Sequence, residues 1–281
     1  MSFFKNKKNT EDDRIVNRTI SPGKGDFTGN LNYNVANLQG IGARQRQEDS
    51  FTFVNAFDDE AVRKEGMLFA VCDGMGGMKD GKVASETAVS YIRNEFANMN
   101  MSANIAAQMK NILLGASDAI ENLLEGDGGS TAVVGLIYQN QLYYVSVGDS
   151  FLYLIRDGMI YRLNHEHNLC NQIFLECIRS GRFDPGEGRN DSESAALTHF
   201  LGMTGLEDID GSFKPLPLKN GDVLLACSDG VGGTLDEDEI LNSSYQGDIM
   251  SMCNMLEQGI VNHNKLNQDN YTAIVVRCIC G

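Results

Sequence analysis

Apolar positions along this chain come in short blocks whose period changes, and each period predicts an element. Tyr33 to Leu38 alternates weakly and predicts a first strand, Phe51-Thr52-Phe53-Val54 a second, and the wholly apolar Met67 to Cys72 a third. Asp58 to Gly66, between the last two, is charged and predicts a turn. The period then lengthens. Val83, Ala84, Thr87, Ala88, Tyr91, Ile92 and Phe96 recur at helical spacing, and Ile105, Met109, Ile112, Leu113, Ala116, Ile120 and Leu123 do so again, with Ser102 placed to cap the second helix. Two amphipathic helices with a short polar connection predict an antiparallel pair lying on a sheet. Beyond Gly126-Asp127-Gly128-Gly129 the apolar run Ser130 to Tyr138 predicts a strand covered on both faces. Asn140-Gln141 predicts a tight turn into Leu142 to Val147, and Phe151 to Ile155, Arg156-Asp157-Gly158 and Met159 to Leu163 predict a further hairpin. Asn168 to Ser180 predicts a helix stopped by Gly181; Lys219-Asn220-Gly221 leads into a strand over Asp222 to Cys227; Ile249 to Val261 is weakly helical; Tyr271 to Cys280 is β-rich. Helices are segregated from hairpins, so the fold class is α+β rather than a βαβ repeat.

Composition narrows the picture. The chain has 281 residues, 42% apolar and 22% charged, enough for one large core. Its formal charge of −15, from 23 basic against 38 acidic side chains, opposes nucleic acid and anionic membranes as partners and tolerates divalent cations. No apolar run has the length of a membrane span, and the start carries no signal-peptide pattern. Seven cysteines without a C-x-x-C read as free thiols, so the expected compartment is the cytoplasm. Residues 1–30 are polar, with glycines and Pro22, and are expected to form a flexible tail; residues 31–281 are expected to form one domain. The stretch from Gly181 to about Ser194, with Pro185, is polar and glycine-rich and is a candidate flap. Nothing in the pattern calls for an oligomer, and a monomer is the default.

The candidate chemistry lies at strand ends. Val71-Cys72-Asp73-Gly74, Val147-Gly148-Asp149, Cys227-Ser228-Asp229-Gly230 and Gln268-Asp269-Asn270 each put an aspartate beside an apolar run. One Asp-Gly is only a common turn. Taken together with Glu48 and Asp49, they bring up to six carboxylates to one site if they converge, with Arg44 and Arg46 as the nearby cations. Like charges that close need cations, and an oxygen-only donor set selects hard ions, Mg²⁺ or Mn²⁺, over zinc or copper. Two such ions sharing a carboxylate would generate hydroxide from a bridging water and hold both oxygens of an in-line displacement at phosphorus. Arg44 would offer a planar fork to phosphate oxygens.

At this point the chain resembles the metal-dependent protein phosphatases of type 2C, in their bacterial branch. The matching pieces stand in the family's order: Arg44 with Glu48-Asp49; Asp73-Gly74-Met75-Gly76-Gly77 with Gly81 and Ala84-Ser85; Gly129-Ser130-Thr131-Ala132; Gly148-Asp149-Ser150; the region of His167; Leu201-Gly202; Gly221-Asp222 leading to Ser228-Asp229-Gly230; and Asp269-Asn270 with Thr272. They run from about residue 33 to 280. The resemblance implies a four-layer α-β-β-α sandwich, two antiparallel sheets flanked by antiparallel helix pairs, with a flap subdomain at about 168–200 that helps select substrates. It implies hydrolysis of phosphoserine and phosphothreonine in proteins, including substrates of a serine/threonine kinase, by a water activated between two metal ions. Asp73 would bridge both ions, with the Gly74 carbonyl on one and Asp229 and Asp269 on the other. Glu48 and Asp49 would hold metal-bound waters, Asp149 with Asp229 a third, weaker ion, and Arg44 the substrate phosphate.

The chain departs from the family where Met75 replaces the histidine that many eukaryotic members use as a proposed general acid. Phe151 replaces the arginine usual after Gly-Asp-Ser, and Glu166-His167-Asn168 replaces Asp-His-Ser. His165, His167, His199 and His263 are read as structural or solvent-facing, and Asp236 to Glu239 as a helix start. The competing functions are a pseudophosphatase that binds without turnover, a phosphatase of small phosphomonoesters, and a regulatory serine phosphatase of the sporulation and stress-response branch. The oxygen ligands and Arg44 speak against the first, and Arg44 with the Gly-Met-Gly-Gly stretch against the last.

Overall fold

The computed structural model describes residues 31–75, 80–182, 193–212 and 214–280. The expected tail, residues 1–30, and the centre of the expected flap, residues 183–192, lie outside the described residues. In chain order the elements are β1 (Leu31–Gly40), β2 (Ser50–Val54), α1 (Asp59–Glu65), β3 (Met67–Cys72), α2 (Gly81–Phe96), α3 (Ile105–Leu124), β4 (Ala132–Tyr138), β5 (Gln141–Val147), β6 (Phe151–Arg156), β7 (Met159–Arg162), α4 (Leu169–Arg179), β8 (Asp210–Gly211), β9 (Leu216–Pro217), β10 (Val223–Cys227), α5 (Asp229–Gly232), α6 (Glu237–Ser244), α7 (Ile249–His263) and β11 (Tyr271–Cys280).

Two antiparallel sheets form, in the orders β1-β11-β10-β6-β7 and β2-β3-β4-β5-β8, with β9 also paired to β5. The period-two pattern explains how they stack. Met67, Phe69 and Val71 of β3 turn to the inter-sheet core beside Leu224 and Ala226 of β10 and Ile274 and Val276 of β11. The alternate residues Leu68, Ala70 and Cys72 turn outward to Ala88, Ile92, Leu113 and Ile120 of α2 and α3. In the other sheet Val223, Leu225 and Cys227 face Ile240 of α6 and Met252 and Leu256 of α7. Each central strand is therefore buried on both faces, which is why it reads as continuously apolar. The result is an α-β-β-α sandwich of class α+β. Glycine enables two of the contacts: a Cβ at Gly115 would overlap the Tyr91 ring where α2 meets α3, and a Cβ at Gly135 would overlap the Phe69 ring between the sheets.

Three local expectations are corrected. Asp58–Gly66 is no turn but helix α1, capped by Asp58 Oδ1, which accepts from Glu60 N and Ala61 N at 3.0 Å. With Val62 as its single buried residue, it has no stripe for periodicity to detect. The cap of α3 is Asn104 rather than Ser102: its Oδ1 accepts from Ala107 N at 3.0 Å. The β4–β5 turn sits one residue earlier than expected, at Gln139-Asn140, both in the left-handed region (φ 51° and 58°) that a tight hairpin turn requires. Asn140 has a second task there, since its Oδ1 accepts from Leu31 N and Tyr33 Oη and ties the turn to β1. All seven cysteines are free thiols, as expected. No described helix is long and apolar enough to cross a membrane.

Gly135→Val should lower stability by about 1–3 kcal/mol through overpacking against Phe69. Adding Phe69→Leu should recover part of that loss, read as a shift in the midpoint of thermal unfolding.

Candidate metal centre

Antiparallel register brings the acidic positions to one end of the sandwich. Asp73 follows the last residue of β3, and Cys72 is paired with Ser50, the residue after Asp49. Asp229 lies two residues beyond Cys227, which is paired with Ala273 of β11 on one side and Phe151 of β6 on the other. Asp269 precedes β11 and Asp149 precedes β6. The ends of β3, β5 and β10 and the starts of β2, β6 and β11 thus share one edge.

Short polar links join the two sheets there and fix the backbones that carry the carboxylates. Ser228 Oγ donates to Asp49 Oδ2 at 2.9 Å, linking β10 to β2, and itself accepts from Thr272 N at 3.0 Å. Asp73 N donates to Thr131 Oγ1 at 3.1 Å, while the Asp73 carbonyl accepts from Thr131 N at 2.9 Å and Ser130 Oγ at 3.0 Å. Thr131 Oγ1 in turn lies 2.7 Å from Ser150 Oγ, beside Asp149. Gly74 bridges to Ser130, and a Cβ on it would strike the carbonyls of Gly81 and Glu48, so only glycine fits.

The electrostatics follow from this crowding. Asp73 is pushed well above the usual carboxylate range, by burial first and then by Asp49, Asp229, Asp149 and Asp269. Asp49, fully buried, is pushed up to about 6, chiefly by burial. Asp149 rises to about 7, by burial and then by Asp229. Asp229 also rises, by burial and then by Asp269. Asp49 and Asp229 each come within hydrogen-bonding reach of the Asp73 carboxyl. The exposed Arg44 pairs with Asp269 at 2.5 Å and is raised by that bond first, and also by Asp229 and Glu48.

All eight residues expected from the sequence (Arg44, Glu48, Asp49, Asp73, Gly74, Asp149, Asp229 and Asp269) therefore lie at this end. Among the described residues, no three His, Cys, Asp or Glu side chains already have their donors gathered around one ion position. The carboxyls lean on one another, and Arg44 holds Asp269. The chemistry nevertheless fits hard cations. The donors are oxygens, Asp49 Oδ1 and Asp229 Oδ1 are buried without a hydrogen-bond partner among the described residues, and Asp73 is crowded by four further carboxylates.

Comparison with known proteins agrees with this geometry. The family model described as protein phosphatase 2C matches residues 34–172. That match takes in just under half of the chain and, with the similar proteins that follow, supports a bacterial-type phosphatase of this family. It is 29% identical to the serine/threonine phosphatase stp of Listeria innocua over 190 residues, 63% of this chain and 72% of that one. Its fold is similar to the PPM Ser-Thr phosphatase MsPP of Mycobacterium smegmatis, solved with cacodylate (TM-score 0.68, 25% identity, 86% and 97% of the two chains). It also resembles the catalytic domain of PstP solved in complex with two manganese ions (TM-score 0.70, 22% identity, 89% and 100%). The family match takes in Arg44 through Asp149; Asp229 and Asp269 join the site through the fold.

Several residues of this centre escaped a reading by carboxylates alone. Lys82, in the first turn of α2, is a further cation beside those expected: its Nζ donates to the Asp49 carbonyl at 3.1 Å and to Ser50 Oγ at 3.2 Å. The only signal for it was its place one residue after the Gly81 that starts the helix. Arg162 stacks on Phe151, 4.2 Å above the ring centroid, and lowers the Asp149 carboxyl against the prevailing upward push. A guanidinium thus returns to the neighbourhood where the family arginine is missing. His167 is buried, and its Nδ1 accepts from Gly148 N at 3.2 Å, a structural role as expected.

The raised carboxyls set a pH dependence with a definite sign. A carboxyl raised in the folded state adds stability that is whole below its unfolded value, about 4, and is lost as pH climbs through the folded value, about 7 for Asp149. In chelator, Asp149→Asn should match the parent near pH 4 and melt about 2–4 °C higher at pH 8, equivalent to ~1 kcal/mol for a chain of this size. Equal melting of both proteins at pH 8 would remove the repulsion argument.

Proposed function

We propose that this chain hydrolyses phosphoserine and phosphothreonine in proteins with the help of Mn²⁺ or Mg²⁺, two ions in the main site and a third, weaker one near Asp149. One observation carries the reading: five aspartates from distant parts of the chain meet at one end of the sandwich, with Arg44 beside them. The family match and the names of the similar proteins, serine/threonine phosphatases, support the reaction class. The manganese reported for PstP supports the cofactor.

In this reading Asp73, the Gly74 carbonyl, Asp229 and Asp269 hold the main ions, Glu48 and Asp49 act on their water shell, and Asp149 with Asp229 serves the third. When bound, the ions supply an activated water and neutralise charge for in-line displacement at phosphorus. Arg44 receives two phosphate oxygens through its planar fork, which orients the phosphorus and offsets its negative charge. Asp49 is kept in place by Ser228, and Asp73 by Thr131, so the charged groups meet the substrate already ordered. Met75 has no proton to give, so the departing serine or threonine oxygen takes its proton from water. Aryl phosphates, whose leaving groups need less help, should suffer least from this.

The region 168–200 serves as the flap. Its helix α4 walls a cleft of about 220 Å³ lined by His165, Glu166, Asn171, Gln172, Glu176 and His199.

The test is hydrolysis of an aryl phosphate, a phosphothreonine peptide and a sugar phosphate, with and without Mn²⁺. Metal-stimulated turnover of the first two, a loss of at least about 100-fold on Asp229→Asn, and little sugar phosphate hydrolysis are expected. Absence of metal-stimulated turnover would favour the pseudophosphatase, and preference for sugar phosphate the small-molecule enzyme.

A further inference from the structure

We propose that Asn270 is a positioning residue for the substrate phosphate and acts through Arg44. The inference rests on the phosphatase reading above, in which Arg44 receives that phosphate.

Arg44 lies on the segment between β1 and β2, residues 41–49, which has no helix or strand of its own. Its side chain is long and half exposed, so its placement depends on how firmly that segment is held. Asn270 is the residue that holds it. Only 3% exposed, it sits between Asp269 and β11 and reaches across to three places in the segment. Its Nδ2 donates to the Ile41 carbonyl at 2.9 Å and to the Arg46 carbonyl at 3.0 Å. Its Oδ1 accepts from Glu48 N at 2.7 Å. The side chain thus spends both amide protons and its carbonyl on residues that flank Arg44 on either side.

Neighbouring contacts complete the clamp. Ala43 N donates to the Gln268 carbonyl at 2.8 Å. Gly42 takes the left-handed region, φ +59°, and a Cβ there would run into the carbonyls of Asp269 and Gln268, so the segment lies directly on residues 268–269. Gln47 closes the base from within: its Nε2 donates to the Gly40 carbonyl at 2.9 Å and its Oε1 accepts from Asp49 N at 2.9 Å.

The choice of amides has a physical reason. An ion pair holding this segment would compete with the cations and phosphate that the centre is to bind. A carboxamide carries no net charge, so its bonds are indifferent to both. Aspartate at 270 would accept from Glu48 N but would face two carbonyls with no proton to offer, beside Asp269. Alanine would leave all three backbone groups without their partner. Ordering of the segment is thereby completed on folding, and the substrate does not have to supply it.

The test is a double-mutant cycle on the full chain with Mn²⁺ and a phosphothreonine peptide, using Arg44→Ala, Asn270→Ala and both together. Asn270→Ala should lower kcat/KM by about 10–100-fold, mostly through KM. In the Arg44→Ala background the same change should cost less than about threefold, because the group it positions is gone. Hydrogen exchange of the Glu48 amide should speed up while that of Val275 in β11 stays unchanged. Equal losses in both backgrounds, or an unchanged Glu48 amide, would overturn the proposal. Should Arg44→Ala itself leave KM unaltered, the phosphate role of Arg44 fails as well, and the cycle reads that separately. If Asn270→Ala does not fold, Asn270→Ser takes its place, since it is neutral, keeps one polar group and is too short to span from Glu48 N to the Ile41 and Arg46 carbonyls, and the same non-additivity is expected.

Discussion

Mutual repulsion among buried aspartates is the constraint the rest of this protein is built to withstand. Asp73 alone feels four other carboxylates, and burial raises the cost of every one of these charges. A flexible scaffold would relax by letting the side chains swing to solvent. Here it cannot, because the aspartates stand at the ends of strands whose registers are locked by apolar packing on both faces. The free energy of the sandwich thus goes in part into holding like charges together, and divalent cations are the natural means of turning that repulsion into binding.

The links across the site show how the load is spread. Ser228 reaches from one sheet to Asp49 of the other, and Thr131 fixes the backbone of Asp73. Both are neutral donors and acceptors, as is Asn270. Neutral groups set geometry without altering the charge balance. Two of the cations near the aspartates, Lys82 and Arg44, serve different ends. Lys82 bonds to a carbonyl and a hydroxyl and stabilises backbone, whereas Arg44 is exposed and its fork is turned to a carboxylate that resembles, in charge and shape, part of a phosphate.

Departures from the family pattern acquire a physical sense in three dimensions. Phe151 leaves no arginine after Ser150, yet Arg162 of β7 lies over its ring and acts electrostatically on Asp149. The positive charge is supplied from a neighbouring strand, through a cation–π contact, in place of the usual position. Met75 has no such substitute in the contacts described, and in the proposed reaction water is left to protonate the leaving group.

Much of this was written in the order of residues alone. The strand Met67–Cys72 was legible to the residue, since a strand covered on both faces has no polar position to blur its ends, and Tyr271–Cys280 was legible through its β-branched run Ile274-Val275-Val276. The long helices α2 and α3 were legible through their stripes, and α1 was not, having one buried residue. The eight site residues could be named from strand-end position and motif order. Their convergence could not be derived from composition or spacing, because it depends on which strands pair and in what register. The same holds for Ser228 bonding Asp49, Lys82 bonding Ser50, Arg162 over Phe151 and Asn270 across the Arg44 segment: each joins residues between 11 and 229 positions apart. Local sequence determines which elements form and which faces they bury, because those preferences act over a few residues. The partners a polar side chain finds at long range are decided only when two sheets close on a shared core.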